Sequence, residues 1–226
     1  MSVNERNYKE ILARTEAAGA VLVAVSKVKP VSDIKALYDL GQRDFGENYV
    51  QELVEKQALL PGDIRWHFIG HLQSNKVKYI APFVHLIHGV DSFKLLEEID
   101  KQAAKNNRVI DCLLQVHVAQ EATKFGFDSE EVVLLLDTID KYKQLNKLQH
   151  VNICGLMAMA SFTDDLEKLK QEFATMKALS EKNAERRTLK VKPETLSMGM
   201  SGDYELALEY GSTMIRVGSL LFGARG

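Results

Sequence analysis

Lys27 closes the apolar run Val21-Leu22-Val23-Ala24-Val25-Ser26, and Pro30 follows three residues later. A β-branched run of this kind reads as a buried strand. A lysine at the end of such a strand has its amine at the rim of the core. Desolvation there disfavours the ammonium and frees the neutral amine that attacks carbonyls, which is what a Schiff-base lysine requires. The competing reading is a lysine that opens a solvated loop and lays its stem along the strand end. Near the other end of the chain are two stretches suited to an anion: Leu196-Ser197-Met198-Gly199-Met200-Ser201-Gly202-Asp203 and Gly211-Ser212-Thr213-Met214-Ile215-Arg216-Val217-Gly218-Ser219. Glycines let backbone amides approach an anion, and serine hydroxyls add donors. Gly199, Ser201 and Gly202 form one expected wall, and Gly218 and Ser219 the other; each stretch alone also reads as an ordinary Gly/Ser turn. Arg216 alternates with Ile215 and Val217 within a strand pattern. A buried arginine is costly unless it meets a polar site, so it is placed over the same mouth as Lys27.

These groups need elements to position them. Residues 3–18 suggest an opening helix. Strand patterns then fall at 21–27, 43–47, 65–70, 86–90, 111–117, 152–158, 194–198 and 214–218. Helical patterns fall between them at 32–41, 49–58, 74–81, 92–106, 128–142, 163–186 and 203–210. Asp33 and Ser92 are candidate helix caps, and Gly41 and Gly211 candidate helix-terminating glycines. Strict β–α alternation implies a parallel sheet, and eight strands in 226 residues fit a single (β/α)8 barrel domain spanning residues 1–226. The alternative, an open doubly wound sheet, normally carries a glycine fingerprint after its first strand; here Lys27-Val28-Lys29-Pro30 stands there instead. In barrels the loops after the seventh and eighth strands often hold phosphate, and both anion stretches fall there.

Composition narrows the partners. Hydrophobic residues make up 46% and charged residues 27%, with 29 Lys plus Arg against 31 Asp plus Glu. Nothing favours nucleic acid, and no apolar run is long enough to span a bilayer. The opening Met1-Ser2-Val3-Asn4-Glu5-Arg6 has no signal-peptide character. Cys112 and Cys154 lie in apolar runs and read as buried core thiols of a reducing compartment, so a cytoplasmic protein is expected.

Several other signals carry less. His67 and His71 are four apart, but Phe68 replaces the glutamate of a zinc helix and Gly70 opposes a helix; both read as loop or rim residues, as do His85 and His88. Met157 and Met159 are expected to fill the barrel. Lys124-Phe125-Gly126 reads as a rim turn, and Glu185-Arg186-Arg187 with Lys190 and Lys192 as a solvated helix end.

The chain resembles the pyridoxal phosphate homeostasis proteins, relatives of the barrel domain of bacterial alanine racemase. The resemblance rests on Ala24-Val25-Ser26-Lys27, Phe45-Gly46-Glu47-Asn48-Tyr49, the block from His67 to Lys76, Gly155-Leu156-Met157 and the two C-terminal stretches ending in Phe222-Gly223. It implies that Lys27 carries pyridoxal 5′-phosphate (PLP) as an internal aldimine. It implies that Ser201, Gly218 and Ser219 hold the phosphate and that Arg216 faces the pyridine nitrogen. Asn48 and Met200 fall in matching blocks and are expected to line the ring pocket. A cation at the ring nitrogen disfavours its protonation and weakens the electron sink. The racemase's second domain, which supplies a second base, has no counterpart before Gly226. The implied role is therefore a PLP carrier in vitamin B6 homeostasis with little or no catalysis, monomeric, with PLP-dependent apo-enzymes as possible recipients. Two alternatives stand beside it: a PLP-dependent amino-acid racemase, and a cofactor-free Schiff-base aldolase using Glu47 for proton transfer.

Overall fold

The computed structural model describes residues 3–118, 126–184 and 194–223. After α1 (Glu5–Ala17) the chain alternates: β1 (Val21–Val25), α2 (Val31–Asp39), β2 (Asp44–Glu47), α3 (Val50–Leu59), β3 (Arg65–Phe68), a 3-10 turn (Ser74–Lys76) leading into α4 (Val77–Ile80), β4 (Leu86–Val90), α5 (Phe93–Lys105) and β5 (Ile110–Val116). It continues through α6 (Ser129–Gln144), β6 (Val151–Ala158), α7 (Leu166–Ala184), β7 (Thr195–Ser197), α8 (Tyr204–Glu209), β8 (Met214–Val217) and α9 (Ser219–Phe222). The eight strands pair in parallel in chain order, and β8 returns to β1 with Met214 opposite Val21 and Val217 opposite Ala24. That closure makes the sheet the expected (β/α)8 barrel and excludes the open alternative.

The strand alternation sorts side chains between two compartments. Phe45, Trp66 and Phe68 face outward, where they join Ile34, Leu37 and Leu53 of the covering helices in one large apolar shell. Each side chain so buried is worth about 1.5–3 kcal/mol. Facing inward is a separate small cluster of Val23, Leu86, Leu113, Met157 and Met214.

Local expectations fare unevenly. Ser92 caps α5 by accepting from the Leu95 amide, and Gly41 and Gly211 take positive φ after α2 and α8. Asp33 is not a cap: α2 starts one residue before Ser32, so Asp33 lies in its first turn, buried, with Pro30 at the cap position. Met157 fills the barrel, whereas Met159 is 40% exposed because β6 ends at Ala158. Cys112 is a buried free thiol; Cys154 is only half-buried, beside Asn152. Burial and nearby Asp111 push its thiol up to about 12, which leaves it unreactive. The turn α9 has no foreseen counterpart, because four residues are too few to show a helical period. Lys124, Phe125 and the basic run from Glu185 to Lys192 lie outside the described residues.

Candidate functional site

In a closed barrel of this order β7, β8, β1 and β2 are consecutive staves. Lys27, Asn48, Met200, Ser201, Arg216, Gly218 and Ser219 all lie in or just beyond the C-terminal ends of those four strands, so the barrel brings the whole predicted set to one half of one face. That face is where barrels place their chemistry.

Lys27 follows β1 and is half-buried. The loop around it is strongly constrained. Ser26 donates its hydroxyl to Glu47 Oε1 at 2.6 Å, and its carbonyl accepts from Lys56 Nζ at 2.7 Å. Val28 takes φ +58°, costly for a β-branched residue, and its amide donates to Glu52 Oε1 at 2.6 Å. Lys29 Nζ reaches across to the Phe222 carbonyl of α9 at 3.0 Å. The lysine that matters is thus held by its neighbours on both sides. Glu47, the aldolase reading's proton-transfer group, is fully buried on the α3 side of β2 and committed to Lys56 and Ser26.

The two anion loops touch. Ser201 Oγ accepts from the Gly218 amide at 3.2 Å. Gly218 packs against the end of β1 so closely that a Cβ there would lie 3.2 Å from the Val25 carbonyl oxygen. Gly199 takes φ +93°, and its carbonyl accepts from the Arg216 amide. Met200 is half-buried, its amide donating to Asp203 Oδ1 at 2.5 Å. Gly218 is the cap residue of α9 and offers no side-chain acceptor to its first turn. The opening amides of a helical turn have no carbonyl within it to bond, and Ser219 is exposed beside them. A concavity of about 520 Å³ backs the same loop, between α1 and α8, but Glu10, Asp203, Glu205 and Glu209 line it, the wrong sign for a phosphate.

Arg216 is 5% exposed. Its Nη2 donates to the Ala158 carbonyl at the end of β6 at 2.8 Å, and its Nη1 to Ser197 Oγ at 2.5 Å. Burial lowers it to about 10, still a cation at neutral pH. In the same half, Asn48 Oδ1 is buried and has no hydrogen-bond partner among the described residues. A buried polar atom without a partner is expensive, and here it marks a place that a polar ligand atom would satisfy.

The sequence reading missed the residues below Arg216. His67 and His88 are not rim residues: they are 1% and 0% exposed, inside the barrel on β3 and β4. His67 Nε2 lies 2.9 Å from Asp44 Oδ1, and His67 Nδ1 lies 3.0 Å from His88 Nε2. Their strands are only four and five residues long, too short for the alternation of apolar residues to show which way a histidine within them points. His71 does lie at the rim, paired with Asp91 at 3.0 Å.

These buried groups set the acid limit of the fold. Burial, then the neighbouring His67 ring and the Arg216 cation, hold His88 far below the usual histidine range. The unfolded chain therefore binds more protons there below about pH 6.5, and stability falls as pH drops from that point. Burial would raise Asp44, but it sits at about 2 because hydrogen bonds from His67 and Arg65 and the pull of both side chains outweigh that burial. Its stabilisation, about 2 kcal/mol, is complete above about pH 4 and disappears as pH falls through about 2. Urea unfolding of the unliganded protein from pH 8 to pH 3 is expected to lose stability in two stages, below about 6.5 and below about 4. A flat profile down to pH 4 would show that His88 is not buried neutral.

The family model for the alanine racemase N-terminal domain matches residues 4–226. The chain belongs to that family. Within it, the pyridoxal phosphate homeostasis protein of Aquifex aeolicus is 40% identical over 207 residues, 91% of this chain and 87% of its own. That of Pasteurella multocida is 38% identical over 218 residues, 94% and 90% of the two chains. The solved structure of PipY from Synechococcus elongatus, with PLP bound, matches at 36% identity and a TM-score of 0.81, covering 95% of this chain and 99% of PipY.

Proposed function

We propose that this chain binds PLP through Lys27 and serves PLP homeostasis, its function carried by the one barrel. The observation that supports this reading most strongly is that PipY, alike over nearly its whole length, was solved with PLP bound. PLP supplies an aldehyde that captures an amine and a ring that draws electrons.

The residues fit such a ligand. Lys27 supplies the amine at the barrel mouth. The Ser201 hydroxyl, whose oxygen the Gly218 amide holds in place, and the Ser219 amide and hydroxyl supply donors for the phosphate, on a helical turn whose partial positive end suits an anion. Arg216, fixed by Ser197 and Ala158, supplies a donor for the ring nitrogen and opposes its protonation. Asn48 Oδ1 and Met200 complete the ring pocket. A ring nitrogen facing a cation supports little carbanion chemistry, so the reading is a carrier rather than an efficient enzyme. In the same reading the protein works as a cytoplasmic monomer and passes PLP to apo-enzymes. Among the described residues no helix is long and apolar enough to cross a membrane.

The test is the absorption spectrum of the purified protein before and after borohydride, with mass mapping. A visible band that collapses on reduction and leaves a pyridoxyl mass on Lys27 is expected. A protein that stays colourless with added PLP would overturn the reading.

A further inference from the structure

The inside of a parallel barrel is ordinarily packed with branched apolar side chains. Here five apolar residues form the inner cluster, and a buried polar chain runs past them. At its start the Arg65 guanidinium pairs with Asp44, Nε to Oδ1 at 2.7 Å. Asp44 Oδ1 meets His67 Nε2 at 2.9 Å, His67 Nδ1 meets His88 Nε2 at 3.0 Å, and His88 Nδ1 meets Ser197 Oγ at 3.2 Å. Ser197 Oγ then meets Arg216 Nη1 at 2.5 Å. The links pass from β2 to β3 to β4, cross the barrel to β7, and end on β8.

With a single proton on the His67 ring, the direction of every bond follows. Asp44 is a carboxylate and can only accept, so His67 Nε2–H donates to it. Neutral His67 then has Nδ1 as an acceptor, which His88 Nε2–H fills. His88 Nδ1 is left as an acceptor and takes the Ser197 hydroxyl proton. The Ser197 oxygen is then open to Arg216 Nη1–H. Were His67 an imidazolium, His88 Nδ1–H and Arg216 would both donate to Ser197, and the hydroxyl proton would have no acceptor within the relay. All four donors therefore point from Arg216 toward Asp44. Among the described residues no carboxylate forms an ion pair with Arg216, and aligned dipoles ending on an anion are what a buried cation lacking such a partner needs.

We infer that Asp44, His67, His88 and Ser197 are positioning residues, a one-directional hydrogen-bond relay that anchors Arg216 and sustains its buried charge from the opposite end of the barrel. The inference rests on the proposed PLP site only for its consequence at the ring nitrogen. The other charged or titratable groups that face the relay are Arg65, His85 (its ring 5.4 Å from that of His67) and Asp111 at its base, and Asp203 near Arg216.

Nitrogen-15 NMR of the histidine rings in the unliganded protein at neutral pH decides the relay itself. Both His67 and His88 are expected as neutral Nε2–H tautomers; an imidazolium or an Nδ1–H tautomer at either ring would overturn it. Its consequence is read in PLP-loaded protein, from the pH midpoint of the visible band in Ser197→Ala and in His67→Phe, the latter three links from Arg216. A ring nitrogen that Arg216 no longer holds takes up a proton more readily and draws electrons from the chromophore. The midpoint is therefore expected to fall by about half a unit or more in both variants. A loss of thermal stability with an unmoved midpoint in both would leave packing as their role and sink the positioning claim. If PLP fails to bind the parent protein, the site reading falls while the NMR result still stands for or against the relay.

Discussion

Lys27→Ala protein is expected to emerge colourless from a preparation in which the parent is coloured, to yield no pyridoxyl adduct on borohydride reduction, and to keep its fold. The adduct is lost because, among the described residues, no other amine is offered at this half of the barrel in the same way. Lys29, two residues on, is spent on the Phe222 carbonyl, and Lys56 is buried behind β2 in ion pairs with Glu47 and Glu52. The phosphate site at Ser201, Gly218 and Ser219 does not depend on Lys27, so free PLP should still bind, weakened roughly a hundredfold, ~3 kcal/mol. Lys27 is only half-buried at a strand end, so truncation should change stability by no more than about 1 kcal/mol. Equilibrium dialysis, reduction with mass mapping and a thermal melt separate the three statements. A pyridoxyl mass retained on another lysine would move the attachment site and with it the role given to the β1 loop.

How much of this was legible in sequence depends on what each residue's neighbours reveal. Lys27 could be found because an unbroken β-branched run fixes a strand and its end. The Ser201 and Gly218 loops could be found because counting strands places them. The relay was also written in the sequence, but at a period that was not applied to polar residues. Asp44, Gly46 and Asn48 share a face, as do Arg65 and His67, Leu86 and His88, and Met214, Arg216 and Gly218, by the two-residue alternation of a strand. Strands buried on both faces hide that alternation when only apolar residues are counted.

Other features had no local signal. Nothing in Val28 announces a left-handed backbone, which the fold imposes through Glu52 from another element. Lys56 reads as any lysine on an amphipathic helix; only the closeness of α3 to β2 turns it into a buried ion. Asn48 was placed by resemblance, and the reason it matters, an unpaired buried oxygen, exists only in three dimensions.

That buried ion carries the second large effect. Lys56 is 5% exposed, and its ammonium donates to Ser26 O, Glu47 Oε1 and Glu52 Oε1 at 2.7, 2.7 and 2.6 Å. Burial raises the Glu47 carboxyl against the lowering influence of Lys56 and Ser26, so Glu47 relies on Lys56 to remain ionised. Lys56→Met should cost about 3–5 kcal/mol, because it leaves a charge buried and unpaired. Replacing both ions, Lys56→Met with Glu47→Leu, should recover most of that loss, since a well-packed apolar pair is often as stable as a buried ionic one. The loop should not recover with it. Without Lys56 the Ser26 carbonyl keeps only the Lys29 amide of its two donors, and without Glu47 the Ser26 hydroxyl loses its acceptor. Glu52, which holds the Val28 amide, loses its Lys56 partner as well, so the strained Val28 is held less firmly and relaxes toward negative φ, a gain of about 1–3 kcal/mol that turns Lys27 away from the mouth. The double variant should therefore unfold near the parent's urea midpoint yet form the Lys27 adduct slowly and incompletely. Stability and adduct yield returning together would show that the cluster only holds the fold; their separation would show that it also aims the lysine.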